Sequence, residues 1–309
     1  MQTRRKFFKR AVLAAAAVSA GPAAFSRIRE NSGVTPDPHG EGMWFKISLA
    51  QWSLNKSLKG GKLDNLDFPA YAKKYFDIHA VEYVNQFFTS AEPDYIKELL
   101  KRTKDIDVKN LLIMIDNEGS LGDTDEADRK KAVENHYKWV ESAHILGCHS
   151  IRVNAAGNAS RKEVASSAEK SLTELSQFAA DYRINVIVEN HGGYSSDANW
   201  LSSVISNVGM VNCGTLPDFG NFWVTRSEEY DKYKGTKQLM AFARGVSAKS
   251  HDFDEDGNET AKDYYKLLKI VKDAGYRGHI GIEYEGSKLS ENEGIMATKK
   301  LLTKAGMTV

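Results

Sequence analysis

Four short segments in the second half of the chain each end an apolar run on a carboxylate, an ammonium or an imidazole. They are Val186-Ile187-Val188-Glu189 with His191, Gly214-Thr215-Leu216-Pro217-Asp218 with Asn221, Val246-Ser247-Ala248-Lys249 with His251, and Ile280-Gly281-Ile282-Glu283 with Glu285. Carboxylates brought together repel one another and hold protons too tightly unless a cation neutralises them. Two Glu, one Asp and one His form an oxygen-rich donor set. It suits a hard or borderline divalent ion such as Mn, Mg or Co, with Zn a further candidate. A metal held by Glu189, Asp218, His251 and Glu283 would grip two adjacent oxygens of a sugar and acidify the C–H between them. A carboxylate on each side of the sugar could then take and return that proton.

Such residues act together only if their strands open on one face. Residues two apart on a strand share a side. Glu189 is therefore in phase with His191, Arg152 with Asn154, Lys249 with Ser247 and His251, and Glu283 with Glu285. The surrounding pattern alternates strand and helix. Strands are expected at 44–50, 79–84, 110–115, 150–154, 185–189, 211–216, 245–249 and 279–283. Helices are expected at 69–76, 93–106, 125–146, 162–182, after a cap at Asp197, and at 227–242, 259–274 and 291–305. In helix 125–146 the spacing of Val133, Tyr137, Val140 and His144 predicts one buried stripe.

Eight such units predict an α/β fold, either a closed (β/α)8 barrel or an open doubly wound sheet. Gln51-Trp52-Ser53-Leu54 follows the first strand where a phosphate-binding glycine loop would stand, which lowers the nucleotide readings. In a barrel the strand ends converge on one mouth. There His191, Lys249, Arg152, Asn154, Asn221, Trp223 and Glu82 are candidates for substrate contact, with Trp52 as a second apolar wall. Each has a plainer reading. Glu189 and Glu283 could be ion-paired at the mouth, and Asp218 a turn residue after Pro217. His251 could lie exposed in a loop, Lys249 could pair with a Glu, and Glu82, Arg152 and Asn154 could fill the barrel. The tryptophans could be core.

Residues 1–26 stand apart. Thr3-Arg4-Arg5-Lys6-Phe7-Phe8-Lys9 precedes an apolar stretch from Ala11 to Ala20 and small residues around Pro22. That stretch is far short of the ~20 residues a membrane span needs. It reads as a signal peptide whose paired arginines resemble the twin-arginine type, so the protein is expected to be exported, periplasmic or extracellular. Residues 27–43 read as a linker and 44–309 as one barrel domain. Without residues 1–24 the balance is 37 basic against 41 acidic residues, with no basic tract to follow phosphates. This argues against a nucleic-acid partner. No stable membrane association is expected once the signal is removed, and a homo-oligomer is left open. Cys148 and Cys213 fall near different strands and read as free buried thiols. Asp252-Phe253-Asp254-Glu255-Asp256-Gly257 begins like a calcium loop, but Asp263 holds the twelfth place and a strand precedes it. An acidic turn ended by Gly257 fits better.

Glu189, Asp218 and Glu283, with Glu189-Asn190-His191-Gly192-Gly193 and a helix after each strand, resemble the xylose isomerase-like TIM barrel family. That family spans sugar (phosphate) isomerases and epimerases and the endonuclease IV-type nucleases of the AP endonuclease family 2 superfamily. The resemblance covers residues 44–305 and implies a single (β/α)8 TIM barrel. It also implies a divalent metal bound by Glu, Asp, His and Glu from strands five to eight, with the two Glu shuttling a proton. Carried over, these are Glu189, Asp218 and Glu283. At strand seven Ser247 stands where the family has His, and His251 lies four residues on. Asn221 stands where some epimerases have His. The implied activity is isomerisation or epimerisation. Export favours an unphosphorylated sugar or sugar derivative as the carbohydrate substrate. A lyase or hydratase acting on a keto-sugar or keto-glycoside, and a non-catalytic sugar-binding barrel, are the alternatives. A nuclease would need a His-rich zinc cluster.

Overall fold

The computed structural model describes residues 43–309; the expected signal peptide and nearly all of the linker lie outside them. Eight strands form the frame: β1 Lys46–Ala50, β2 Ala80–Val84, β3 Lys109–Met114, β4 Ser150–Val153, β5 Asn185–Glu189, β6 Cys213–Leu216, β7 Val246–Ser250 and β8 His279–Tyr284. Neighbours run parallel in the order β6-β5-β4-β3-β2-β1-β8-β7. The last seam, between β6 and β7, is narrow. It consists of the parallel bridges Thr215 to Ala243 and Asp218 to Ser247. Arg244 N donates to Thr215 O (3.0 Å), Ser247 N to Pro217 O (2.9 Å) and Phe219 N to Ser247 O (3.0 Å). These bonds curl the sheet into the barrel that eight strand–helix units predict.

The period-two alternation explains what lies inside. Leu49, Val81, Tyr83, Ile151, Val153, Val186, Val188, Val246, Ala248, Ile280 and Ile282 join the core between strands and helices. Their neighbours Ser48, Glu82, Arg152, Glu189, Ser247, Lys249 and Glu283 are buried polar residues. A separate small cluster of Ala50, Val84, Leu112, Met114, Ile187 and Leu216 packs with Trp52 and Phe87.

The helices are α1 Phe68–Phe76, α2 Pro93–Asp105, α3 Glu126–Leu146, α4 Arg161–Asp181, α5 Ala198–Val208, α6 Lys232–Leu239, α7 Tyr264–Asp273 and α8 Glu291–Thr308, with one short turn of helix at Asn55–Lys59. Local chemistry sets their starts. Ser160 before α4 and Ser290 before α8 each form a reciprocal capping box with the Glu three residues on. Asp197 caps α5 as expected, accepting from the amides of Asn199 and Trp200. None of the described helices is long and apolar enough to cross a membrane.

Three expectations change. The helix expected at 227–242 is shorter, because Trp223–Thr225 and Glu228–Glu229 form an antiparallel hairpin and Asp231 caps α6 only at Lys232. The helix expected from 259 begins at Tyr264, capped by Asp263, because the Glu259 carboxylate is held in a buried pair with Lys262. In α3 the buried stripe runs through Ala132, Val133, His136, Trp139, Val140, Ala143 and Leu146. Tyr137 is half-buried and stacks on Phe178 at 3.9 Å, and His144 is exposed. Both cysteines are free and buried. The acidic segment 252–257 is a turn: Asp254 accepts from the amides of Asp256 and Asn258, and Gly257 supplies a φ of 78°.

Candidate active site

Glu189 at the end of β5, Asp218 just past β6 and Glu283 near the end of β8 meet at the barrel mouth. One oxygen of each lies within 4.8 Å of the others, and all three residues are buried. Oxygen ligands sit roughly 2.0–2.6 Å from a hard divalent ion, so two on opposite sides of it are separated by about 4–5 Å. The spacing fits. The donors fit too, because Glu189 Oε2 is buried with no hydrogen-bond donor aimed at it. Arg152 Nε lies 2.8 Å from that oxygen, yet it also lacks a well-directed partner. The contact is therefore an ion pair by distance and not an aligned hydrogen bond.

Strand register explains the rest of the cluster. Asp218 bridges to Ser247, and Ser247 Oγ lies 2.7 Å from Asp218 Oδ2 and 3.0 Å from Glu283 Oε2. Having one proton, it can donate to only one of them at a time. Glu283 pairs with Lys249 in register. Lys249 Nζ lies 3.2 Å from Glu283 Oε1, 3.0 Å from Glu285 Oε1 and 3.3 Å from Asn221 Oδ1. Asn221 Nδ2 donates to Glu189 Oε1 at 3.1 Å. Asp218 is fixed from behind, since its Oδ1 accepts from the amides of Gly220 and Asn221, each at 2.7 Å.

These surroundings separate the proton affinities. Burial raises Glu189 to about 8, only partly opposed by Arg152, with Glu283 and Asp218 adding to the rise. Asp218 is raised by burial and Glu283 against the opposing Lys249. Burial also acts on Glu283, but Lys249 and Arg152 outweigh it and hold that carboxyl below its ordinary value. Lys249, despite burial, is held firmly protonated by Glu283, Asp218, Glu285 and Glu189.

The other sequence candidates spread around this centre. Arg152 bridges Glu189 and Asp116, with Nη1 donating to Asp116 Oδ1 at 2.7 Å, and Asn154 donates to the same oxygen at 2.8 Å. Glu82 is buried on β2, where Ser48 Oγ donates to its Oε1 at 2.6 Å. β5 ends at Glu189, so His191 sits in the loop beyond it. His191 is open to solvent overall; local desolvation of its ring, with the positive Arg152 and Lys249, lowers it to about 4. His251 does not join the three clustered carboxylates. β7 stops at Ser250, and His251 turns its Nδ1 toward Lys262 Nζ, 3.3 Å away. Ser247 therefore occupies the strand-seven place in the cluster. Trp223 is half exposed on the hairpin. Trp52 packs over the small inner cluster with Lys59 Nζ 4.1 Å above its ring.

Two participants were missed. Asp116 ends the apolar run 111–115, the same signal that marked Glu189. Asn190 ties β5 to the segment after β6: its Oδ1 accepts from Asp218 N at 2.8 Å, and its Nδ2 donates to Asp218 O and Asn221 O. A cavity of about 250 Å³ beside Glu285 is lined by Trp52, Lys56, Tyr284 and Glu291. A larger one of about 470 Å³, among Tyr233, Glu259, Lys262 and Tyr264, touches none of the three clustered carboxylates. Volume alone therefore does not locate the chemistry.

The family model described as xylose isomerase-like TIM barrel matches residues 69–305. A curated relative, the C-glycoside deglycosidase alpha subunit of Arthrobacter globiformis, is 40% identical over 58 residues, which is 18% of this chain and only 16% of that subunit. A crystal structure of a D-tagatose 3-epimerase-like protein superposes with a TM-score of 0.64 at 18% identity, covering 84% of this chain and 97% of that one. The IOLI protein with a bound zinc atom superposes with a TM-score of 0.67 at 17% identity, covering 85% and 99%. At these identities the superpositions establish the fold.

Proposed function

The chain belongs to the xylose isomerase-like TIM barrel family, and from that premise we propose that it is a divalent-metal-dependent isomerase or epimerase of an unphosphorylated sugar or sugar derivative. The observation that carries this reading is the buried meeting of Glu189, Asp218 and Glu283 from three separate strands. These carboxylates would hold the ion, with the Ser247 hydroxyl beside them. A bound ion would polarise the oxygens flanking the reacting carbon. Glu189 and Glu283 then take the proton from that carbon and return it, and Lys249 and Arg152 hold substrate oxygens. Asn221, which contacts both Glu189 and Lys249, positions the pair. Solved neighbours that are sugar epimerases support the substrate class, and the twin-arginine motif supports export.

A second reading rests on the short match to a C-glycoside deglycosidase subunit. The same proton abstraction beside a carbonyl would begin an elimination and make the enzyme a lyase. Products separate the two, since epimerisation conserves mass and elimination releases a leaving group.

The test is metal content of signal-free protein beside a Glu189→Gln, Glu283→Gln double variant, followed by exchange of carbon-bound protons of candidate sugars in deuterated water. Near-stoichiometric metal in the parent, lost in the variant, together with exchange only in the parent, is expected. Absence of metal from the parent after soaking in divalent ions would overturn the metal-enzyme reading. Sugar binding without exchange, unaffected by metal, would favour a non-catalytic barrel.

A further inference from the structure

Ser247 supplies no strong metal donor at strand seven, yet the cluster already contains a cation. Lys249 stands directly opposite Glu283 in the β7–β8 register, and its ammonium is 3.2 Å from Glu283 Oε1. A divalent ion between Glu189, Asp218 and Glu283 needs the same negative charge. Two cations at van der Waals distance repel strongly in a buried setting. The lysine has somewhere to go, because Glu285 Oε1 at 3.0 Å and Asn221 Oδ1 at 3.3 Å already accept from it. Glu285 belongs to the rim, its side chain 29% exposed against 5% for Glu283.

Resting on the metal reading above, we infer that Lys249 is a resident counter-cation that competes with the metal for Glu283, and that Glu285 is the anchor to which it is handed over when metal enters. Lys249 thus sets metal affinity without being a ligand, and Glu285 acts through Lys249. No bond or proton is exchanged; one ion pair, Lys249–Glu283, is released while Lys249–Glu285 is kept. The arrangement neutralises the carboxylates before metal arrives, at the expense of weaker metal binding.

The experiment is calorimetric titration with Mn²⁺ of signal-free parent, Lys249→Met, Glu285→Gln and the double variant, with thermal melts of each with and without Mn²⁺. Removing the ammonium should tighten Mn²⁺ binding by about tenfold or more. Glu285→Gln, which leaves Lys249 leaning on Glu283, should weaken it severalfold. In the Lys249→Met background the effect of Glu285→Gln should vanish, giving a non-additive cycle. Lys249→Met should also melt lower than the parent without Mn²⁺ and gain more on its addition. An unchanged Mn²⁺ affinity in a folded Lys249→Met protein would overturn the competition while leaving the metal site standing. An undiminished effect of Glu285→Gln in that background would overturn the handover. No Mn²⁺ binding by any of the four proteins would sink the metal reading itself, and this inference with it.

Discussion

Glu82 is a carboxyl inside the barrel with one oxygen bonded by Ser48 and the other, Oε2, without a partner. Burial raises it to about 7; Ser48 opposes this and Glu283 adds to it. The unfolded chain ionises near 4.5. Below that pH both states hold the proton. Between about 4.5 and 7 only the folded state holds it, so stability falls as pH rises, and above about 7 the full loss of about 3 kcal/mol is present. Glu82→Gln removes the ionisation. In urea melts the variant should exceed the parent most at pH 8, with the gap closing toward pH 4.5. A gap independent of pH would show that Glu82 ionises as it does in water. Sequence alone placed Glu82 among the polar candidates, but not its proton, because proton affinity depends on what lies across the barrel.

At the scale of elements, the packing of α8 on β8 sets two effects against each other. Gly294 in α8 faces the Tyr284 ring so closely that an added Cβ would lie 2.2 Å from it. Alanine is the better helix former by about 1 kcal/mol, whereas overpacking a filled contact costs about 1–3 kcal/mol. The ring is only 2% exposed, and its hydroxyl is tied to Leu289 at 3.2 Å, so the clash wins. Gly294→Ala should lower the melting temperature; an increase would mean that α8 moves freely against the sheet. The Asp197 cap of α5 was readable in advance, being a local pattern. The delayed start of α7 was not, because Glu259 is withdrawn from the helix by its pair with Lys262.

For the whole molecule the β6–β7 seam is a weak closure, held by bridges and three backbone bonds where the flanking pairs β5–β6 and β7–β8 share longer ladders. Asp218 lies on one side of it, with Ser247 and Glu283 on the other. A bound divalent ion would span it and, binding only the folded chain, would raise stability by mass action. The amides of Arg244, Ser247 and Phe219 should exchange with deuterium faster than those of Val186 and Ile113, and Mn²⁺ should slow the seam selectively. Equal slowing everywhere would point to global stabilisation alone, and no slowing to an ion that does not bridge β6 to β8.

The alternation of apolar runs with 3.6-period stretches was enough to indicate eight strand–helix units and to single out Glu189, Asp218 and Glu283, because each signal lies within a few residues. Asp116 carried the same signal and was overlooked. Where each strand stops was decided only by tertiary structure. β5 ends at Glu189 and β7 at Ser250, which leaves His191 and His251 in loops despite their matching phase. The placing of Lys249 against Glu283 follows from the β7–β8 register, and that of Ser247 against Asp218 from the seam. Those two pairings join residues 34 and 29 positions apart (283 against 249, 247 against 218). Periodicity within one segment carries no information about register between two, because hydrogen bonding and shared burial across the barrel set it.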